Sequence, residues 1–314
     1  MKPLEIIIAI IQRDGKYLVA QRPPEKAYGG YWEFPGGKRE AGESEFEALQ
    51  RECREELGIA VRKARPVFSW RHCYGDNTLR LSAWQVDAYA GEAYGAERQA
   101  LQWLWPAEFG GYRFPAANGI LMKALQLPDC YAITPEIEEG RDFYAELDRL
   151  LASGITLLQF RAKTLASEHY RQHAAEVAAR CRRAGVTLLL NGDPRQVAGV
   201  TDVGLHLDAQ RLMQLRERPI ATERWLAASC HNEAEIRQAE RIGADFIVLS
   251  PVLATQSHPH SAPLGWQELA RLVEQANVPV YALGGMTRAH LPMAQQHGCQ
   301  GIAAISAFWP RVGG

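Results

Sequence analysis

The sequence predicts an α/β protein of two units, the second of them a (β/α)8 barrel of TIM type. Three observations lead there. The chain has 314 residues, and two domains are the ordinary solution at that length. From Tyr131 onward, eight short apolar runs (YAIT, TLLQFR, TLLLN, VGLHL, WLAASC, FIVLSPV, VPVYALGG and GIAAISAF) alternate with helical stretches such as SEHYRQHAAEVAARCRRAG. That is the rhythm of parallel strands joined by helices. Before residue ~125 the rhythm differs: longer strand-like runs surround one acidic helix.

Taken in order, EIIIAIIQRD, KYLVAQR, ARPVFSWRHCY and LRLSAWQVDAYA read as strands, and ANGILMKALQL as a helix. PDC, residues 128–130, reads as a linker, which sets the expected units at 1–127 and 130–314. The chain ends six residues after Phe308, so the eighth helix of the barrel is expected to be missing or replaced. A doubly wound sheet is the second possibility for this half.

Composition narrows the function. Hydrophobic residues make up 47% and charged residues 23%, as in ordinary soluble domains. The net charge of −1 provides no basic field for a nucleic acid polymer. The six cysteines are scattered without a C-x-x-C pair. This argues against a disulfide framework or zinc site and suits a reducing, cytoplasmic setting. The apolar start is broken by Glu5 and reads as a strand rather than a leader, and no run reaches the length of a membrane span.

The acidic helix carries the chemistry. Ser44 followed by Glu47 forms a capping box, Gly58 ends the helix, and Phe46, Leu49, Cys53 and Leu57 share its inner face. Glu52, Glu55 and Glu56 fall on an adjacent arc, with Arg51 one turn before Glu55. A solvated face is one reading, because exposed like charges cost only ~0.2–0.5 kcal/mol per pair. A cage for divalent cations is the other. The spacing favours the cage. From Gly37 to Ile59 the chain reads G-x5-E-x7-R-E-C-x-E-E-x-G-I, and seven of those letters coincide by chance on the order of 10⁻⁸ per start position.

This segment resembles the Nudix box, with Cys53 where an aliphatic residue is usual. The resemblance implies a Nudix α/β/α sandwich with a mixed sheet, and Mg²⁺ or Mn²⁺ as cofactor. It implies Glu52, Glu55 and Glu56 as ligands, the Gly37 carbonyl as a further ligand, and Arg51 orienting a carboxylate. Glu43 takes a supporting role. The stretch QRP…GGYWEFPGGKREAGE is similar to the MutT branch, which hydrolyses oxidised guanine nucleotides. That likeness adds Arg22 for a phosphate, Phe34 for the base pocket and Glu97 as a loop carboxylate, either metal ligand or base. It also adds Asn118, in FPAAN, to read the base through an amide that both donates and accepts. As a residue just before a helix, Asn118 also suits an N-cap.

In the barrel half, polar residues gather where the strands end, the face on which such barrels carry their sites. They are Gln159, Arg161, Lys163, Asn191, Asp193, His206, Asp208, His231, Gly285 and Ser306. The pieces LLQFRAK, GLHLD, GADFIVLSPVLATQS, YALGGMT and GIAAISAF resemble thiamine-phosphate synthase and the TenI-type thiazole tautomerase. The resemblance implies that Gln159, Arg161, Lys163 and Asn191 handle a diphosphate, and that Thr255, Ser257, Gly285 and Ser306 hold a phosphate. His231 becomes a catalytic candidate, with a strand-end hydrogen bond as its plain alternative. Three positions depart from the synthase pattern: Gly192 and Arg211 stand where metal-binding aspartates are expected, and His258 replaces a lysine. Asp193 or Asp208 might then substitute.

The expected activity is hydrolysis of 8-oxo-dGTP to its monophosphate, with small nucleotides rather than polymers or membranes as partners. Two alternatives stand. One is a bifunctional thiamine-pathway enzyme whose barrel binds a thiamine phosphate or precursor. The other is a barrel that only senses a ligand. No oligomeric state follows from the sequence.

Overall fold

A computed structural model describes residues 4–74, 77–140, 142–197, 199–255 and 262–309. The chain divides into two compact units, Met1–Gln126 and Leu127–Gly314.

In the first unit, β1 (Leu4–Ile10) is the centre. It is followed by β2 (Gln12–Arg13), β3 (Lys16–Gln21), β4 (Trp32–Glu33), β5 (Gly36–Lys38), α1 (Glu45–Leu57), β6 (Ala60–Tyr74), β7 (Asn77–Ala90), β8 (Leu101–Leu104) and α2 (Gly119–Ala124). One mixed sheet runs β5-β1-β7-β6, with β1 parallel to β7 and antiparallel to β5. A second sheet holds β2, β3, β4 and β8. The alternation of β1 makes the layers. Ile7, Ala9 and Ile11 join Leu49, Cys53 and Leu57 of α1 in one core. Ile8 and Ile10 join Phe34, Trp70, Phe109 and Leu121 in the other. The result is the expected sandwich. Three strands escaped the sequence reading, β4, β5 and β8, because two to four residues are too short to show a period.

In the second unit, eight parallel strands close into a barrel: β9 (Cys130–Ile133), β10 (Leu157–Phe160), β11 (Thr187–Asn191), β12 (Gly204–Leu207), β13 (Leu226–Cys230), β14 (Phe246–Leu249), β15 (Val280–Leu283) and β16 (Gly301–Ala304). Outside run α3 (Phe143–Ala152), α4 (Ser167–Arg183), α5 (Pro194–Val197), α6 (Ala209–Gln214), α7 (Glu233–Arg241), α8 (Gly265–Val273) and α9 (Leu291–Gln296). Alternate residues divide between two cores. Tyr131, Leu157, Phe246 and Tyr281 fill the interior, while Ala132, Leu158 and Phe160 meet the helices. The doubly wound alternative is thereby set aside.

No helix follows β16 among the described residues. Phe308 and Trp309 take that place. Trp309 is buried, stacks on Phe143 with ring centroids 5.4 Å apart, and donates its indole N–H to the buried Glu146. Trp309→Ala removes the stacking surface and a donor to a buried carboxylate. It is expected to lower the unfolding free energy of the barrel by about 3–5 kcal/mol, read from denaturant melts.

Candidate functional site

In the first unit the site is assembled by α1 and the β5 turn. Ser44 accepts from the Glu47 amide at 3.2 Å while Glu47 accepts from the Ser44 amide at 2.8 Å, and Gly58 closes the helix in the left-handed region at φ 65°. The helix is therefore fixed at both ends and its acidic arc has one orientation.

Arg51 is the hub. It grips Glu43 with two bonds, Nε to Oε1 at 2.7 Å and Nη2 to Oε2 at 3.0 Å. It also donates to the Lys38 carbonyl at 2.9 Å, to Glu52 at 2.8 Å and to Glu55 at 3.2 Å. One planar guanidinium thus joins β5, the turn before α1 and the helix itself. The same contact holds the Glu43 carboxyl down at about 2. Glu55, with its side chain 55% exposed, lies at the outer edge of the group.

Glu52 and Glu56 face inward. A side chain at Gly37 would meet the Glu52 carboxylate at 2.4–2.5 Å, so only glycine lets the backbone approach this closely. Gly36, at φ 141°, pairs with β1 where a side chain would strike the Ile7 carbonyl at 2.1 Å, and its amide donates to Glu56 at 3.0 Å. Burial pushes the Glu56 carboxyl up to about 8, with Glu33, Glu52 and Glu97 adding repulsion. Burial also raises Glu52 and Glu33. These groups carry more negative charge than the protein neutralises.

The loop carrying Glu97 is tied to the end of α1: the Glu56 carbonyl accepts from the Ala96 amide at 2.9 Å and from the Gln99 side chain at 2.8 Å. Lys26 meets Glu97 at 2.8 Å, and Arg22 meets Glu33 and the Ala27 carbonyl. Glu33, Lys26 and Gln99 were not singled out in the sequence. Glu33 lies within the quoted WEFPGG, and its position on a strand two residues before the β5 turn is the signal that pointed to it.

Phe34 is buried against Phe109 and Phe114. Asn118 is 6% exposed, precedes α2, and makes no side-chain cap bond. Its N-cap reading therefore fails, and a buried amide stands ready for another partner.

The donor set suits a hard divalent cation: carboxylate oxygens, a nearby backbone carbonyl and unbalanced negative charge. Among the described residues no three acidic, histidine or cysteine side chains are already drawn together as a cation cage.

In the barrel, the strand-end residues split into two groups. An interior chain of hydrogen bonds runs from the Asn191 amide to Gln159 Oε1 at 3.0 Å, and from Gln159 Nε2 to the Tyr131 hydroxyl at 3.2 Å. It continues between Tyr131 and His206 Nδ1 at 3.1 Å, and between His206 Nε2 and Ser229 Oγ at 2.8 Å. Burial drives His206 down to about 3, so it is neutral. Tyr131 accepts from Gln159 and has one proton to give, so His206 accepts at Nδ1 and donates from Nε2. Gln159 is buried with both ends of its amide used, and it acts here by holding Asn191.

The second group faces outward. Arg161 pairs with Glu136 at 3.0 Å, and Lys163 is exposed. Asp193 accepts two bonds from the Arg195 guanidinium, at 2.8 and 3.0 Å, and Asp208 accepts from the Arg211 guanidinium. His231 and its own amide both bond Glu235, at 2.9 and 2.7 Å. Gly285, at φ 67°, packs where a side chain would meet Leu253 at 2.8 Å. Thr255 is half-buried and Ser306 exposed, while Ser257 and His258 lie outside the described residues.

These features describe one acidic diphosphate-handling unit and one barrel with a polar mouth. Comparison with known proteins agrees. A NUDIX domain model matches residues 6–124, and a thiamine monophosphate synthase model matches residues 130–308. CTP pyrophosphohydrolase of Escherichia coli is 43% identical over 124 residues, covering 40% of this chain and 92% of that protein. Thiamine-phosphate synthase of Chloroflexus aurantiacus is 30% identical over 179 residues, covering 56% and 83%. A solved structure described as MutT from Aliivibrio salmonicida and Vibrio cholerae is 35% identical, covering 40% and 97%, with a TM-score of 0.35. The chain belongs to the Nudix family through its first unit and to the thiamine monophosphate synthase family through its second.

Two substitutions test the geometry. Gly37→Ala displaces the Glu52 carboxylate, a movable side-chain end. Turnover is expected to fall by at least about 10-fold while the melting temperature stays within a few degrees. Glu56→Gln tests the charge. With its folded value about 8 against an ordinary value of 4.5, Glu56 contributes stability in full below pH 4.5 and loses it as pH rises through 8. In metal-free protein at pH 8 and above, Glu56→Gln is expected to raise stability by on the order of 2 kcal/mol, and the difference should vanish below pH 4.5. Melts across pH in chelator check this.

Proposed function

We propose that the first unit hydrolyses a nucleoside triphosphate to its monophosphate and diphosphate with a divalent cation, Mg²⁺ or Mn²⁺. The supporting observation is the apposition of Glu52 to Gly37 beside the half-buried Glu56, whose carboxyl lacks a cationic partner among the described residues. The Gly37 carbonyl with Glu52, Glu55, Glu56 and Glu97 would hold the cation. When bound, it supplies phosphate neutralisation and an acidified water. The chain does the rest: Arg51 orients Glu52 and Glu55, the Gly36 amide fixes Glu56, and a carboxylate of the Glu52–Glu56–Glu97 group accepts the proton of the attacking water. Arg22, released from Glu33, contacts a phosphate, and Lys26 lies on the same loop.

For the base, Asn118 beside the Phe34 pocket favours a ring that both donates and accepts, and 8-oxo-dGTP is our first choice. CTP is the second reading, favoured by the 43% identity to CTP pyrophosphohydrolase. For the barrel, we propose that its mouth binds a phosphorylated thiamine precursor, in order to join or isomerise it. Glu235 holds His231 by one ring nitrogen and leaves the other for substrate.

Diphosphate release from 8-oxo-dGTP, CTP and thiamine diphosphate by the whole chain separates the readings. 8-oxo-dGTP is expected to lead in kcat/KM, and Glu52→Gln to lower its turnover by at least about 100-fold with folding intact. A lead for CTP moves the choice to the second reading, and a lead for thiamine diphosphate overturns both nucleotide readings.

A further inference from the structure

The synthase resemblance brings with it a divalent cation at the barrel mouth, and the donors present there do not fit one. β9, β10, β11 and β12 are neighbours in the barrel, and all point their C-terminal ends to the same face. Three carboxylates follow those ends, and each is already spent. Glu136 accepts from Arg161 at one oxygen, and at the other from the Thr164 hydroxyl at 3.1 Å and its amide at 3.3 Å. Asp193 Oδ1 accepts from the Arg195 amide at 2.8 Å and from Nε at 3.0 Å, and Oδ2 accepts from Nη2 at 2.8 Å. Asp208 Oδ1 caps α6 through the Arg211 amide at 2.8 Å, and Oδ2 takes the Arg211 guanidinium.

The two positions where the synthase pattern calls for aspartate hold Gly192 and Arg211. A dication entering here would have to evict an arginine and then sit beside it. Both changes cost Coulomb energy. An anion meets the opposite situation. Arg161 and Arg211 each commit one guanidinium nitrogen to a carboxylate and keep the others. Lys163, two residues past Arg161, is exposed and makes no ion pair with a described residue. Fixed guanidinium donors and a free ammonium are the usual equipment for phosphate.

We propose that the barrel mouth binds its phosphate ester directly, without a bridging divalent cation, and that Arg161, Lys163 and Arg211 supply the positive charge. The proposal rests on the reading of this mouth as a phosphate site. A diphosphate leaving group needs its charge covered by metal as it departs. A mouth of this kind therefore suits a phosphate that stays attached through an isomerisation.

The test is a titration of the full chain with inorganic phosphate, followed by phosphorus NMR, in chelator and in Mg²⁺. Signal weakened by Lys163→Met is assigned to the barrel. The expected result is a Lys163-dependent Kd that differs less than about 3-fold between the two buffers. Arg211→Asp frees Asp208 and adds a carboxylate. In that variant, binding in chelator should fall by at least about 10-fold, equivalent to 1.4 kcal/mol, and Mg²⁺ should restore it. Lys163-dependent binding that appears only with Mg²⁺ in the unaltered protein overturns the proposal and leaves the phosphate site standing. Unchanged binding by folded Arg211→Asp in chelator overturns the part given to Arg211. No Lys163-dependent binding in either buffer overturns the phosphate site and the proposal together.

Discussion

The first unit is organised around one guanidinium. Arg51 bonds to Lys38, Glu43, Glu52 and Glu55, so the β5 turn, the turn before α1 and the helix share a single fixed point. Like-charged carboxylates repel, and without a rigid positive centre each would turn to water on its own. With it, the acidic arc keeps one shape before any ligand arrives, and Glu52 is presented at the one place where a glycine backbone allows it. A lysine could not do the same, because its single ammonium lacks the planar fork that reaches Glu43 twice.

The two units treat acidic groups in opposite ways. In the Nudix unit, Glu56 and Glu52 are raised by burial, and Glu56 is given an amide donor but no cation. In the barrel, Asp193 is held at about 2 by its arginine. One surface is left short of positive charge and the other is balanced internally. Identical residue types thus indicate different ligands, and their immediate partners decide which.

Much of this was legible in the letters because periodicity and spacing carry it. Alternation in β1 separated two cores, and eight apolar runs placed eight strands. The capping box and Gly58 bounded α1. What stayed hidden depends on contacts between distant residues. Nothing local tells that Gln159 turns inward to Asn191 and Tyr131, or that Glu33 meets Arg22. The spent state of Asp193 and Asp208 was equally invisible, although each is bound by an arginine only two or three residues away. Sequence shows that such a pair is available but not that both carboxylate oxygens are occupied. The replacement of a final helix by Trp309 was open in the sequence, and stacking on Phe143 resolves it.

The line from Asn191 through Gln159, Tyr131 and His206 to Ser229 has a direction. Each member's proton assignment follows from its neighbour's, so no single amide or ring can turn without reversing the whole row. The barrel therefore carries a collective polarity at its centre. It behaves as one two-valued element rather than five independent side chains, and it keeps the same sense across the neutral pH range because its only imidazole stays uncharged.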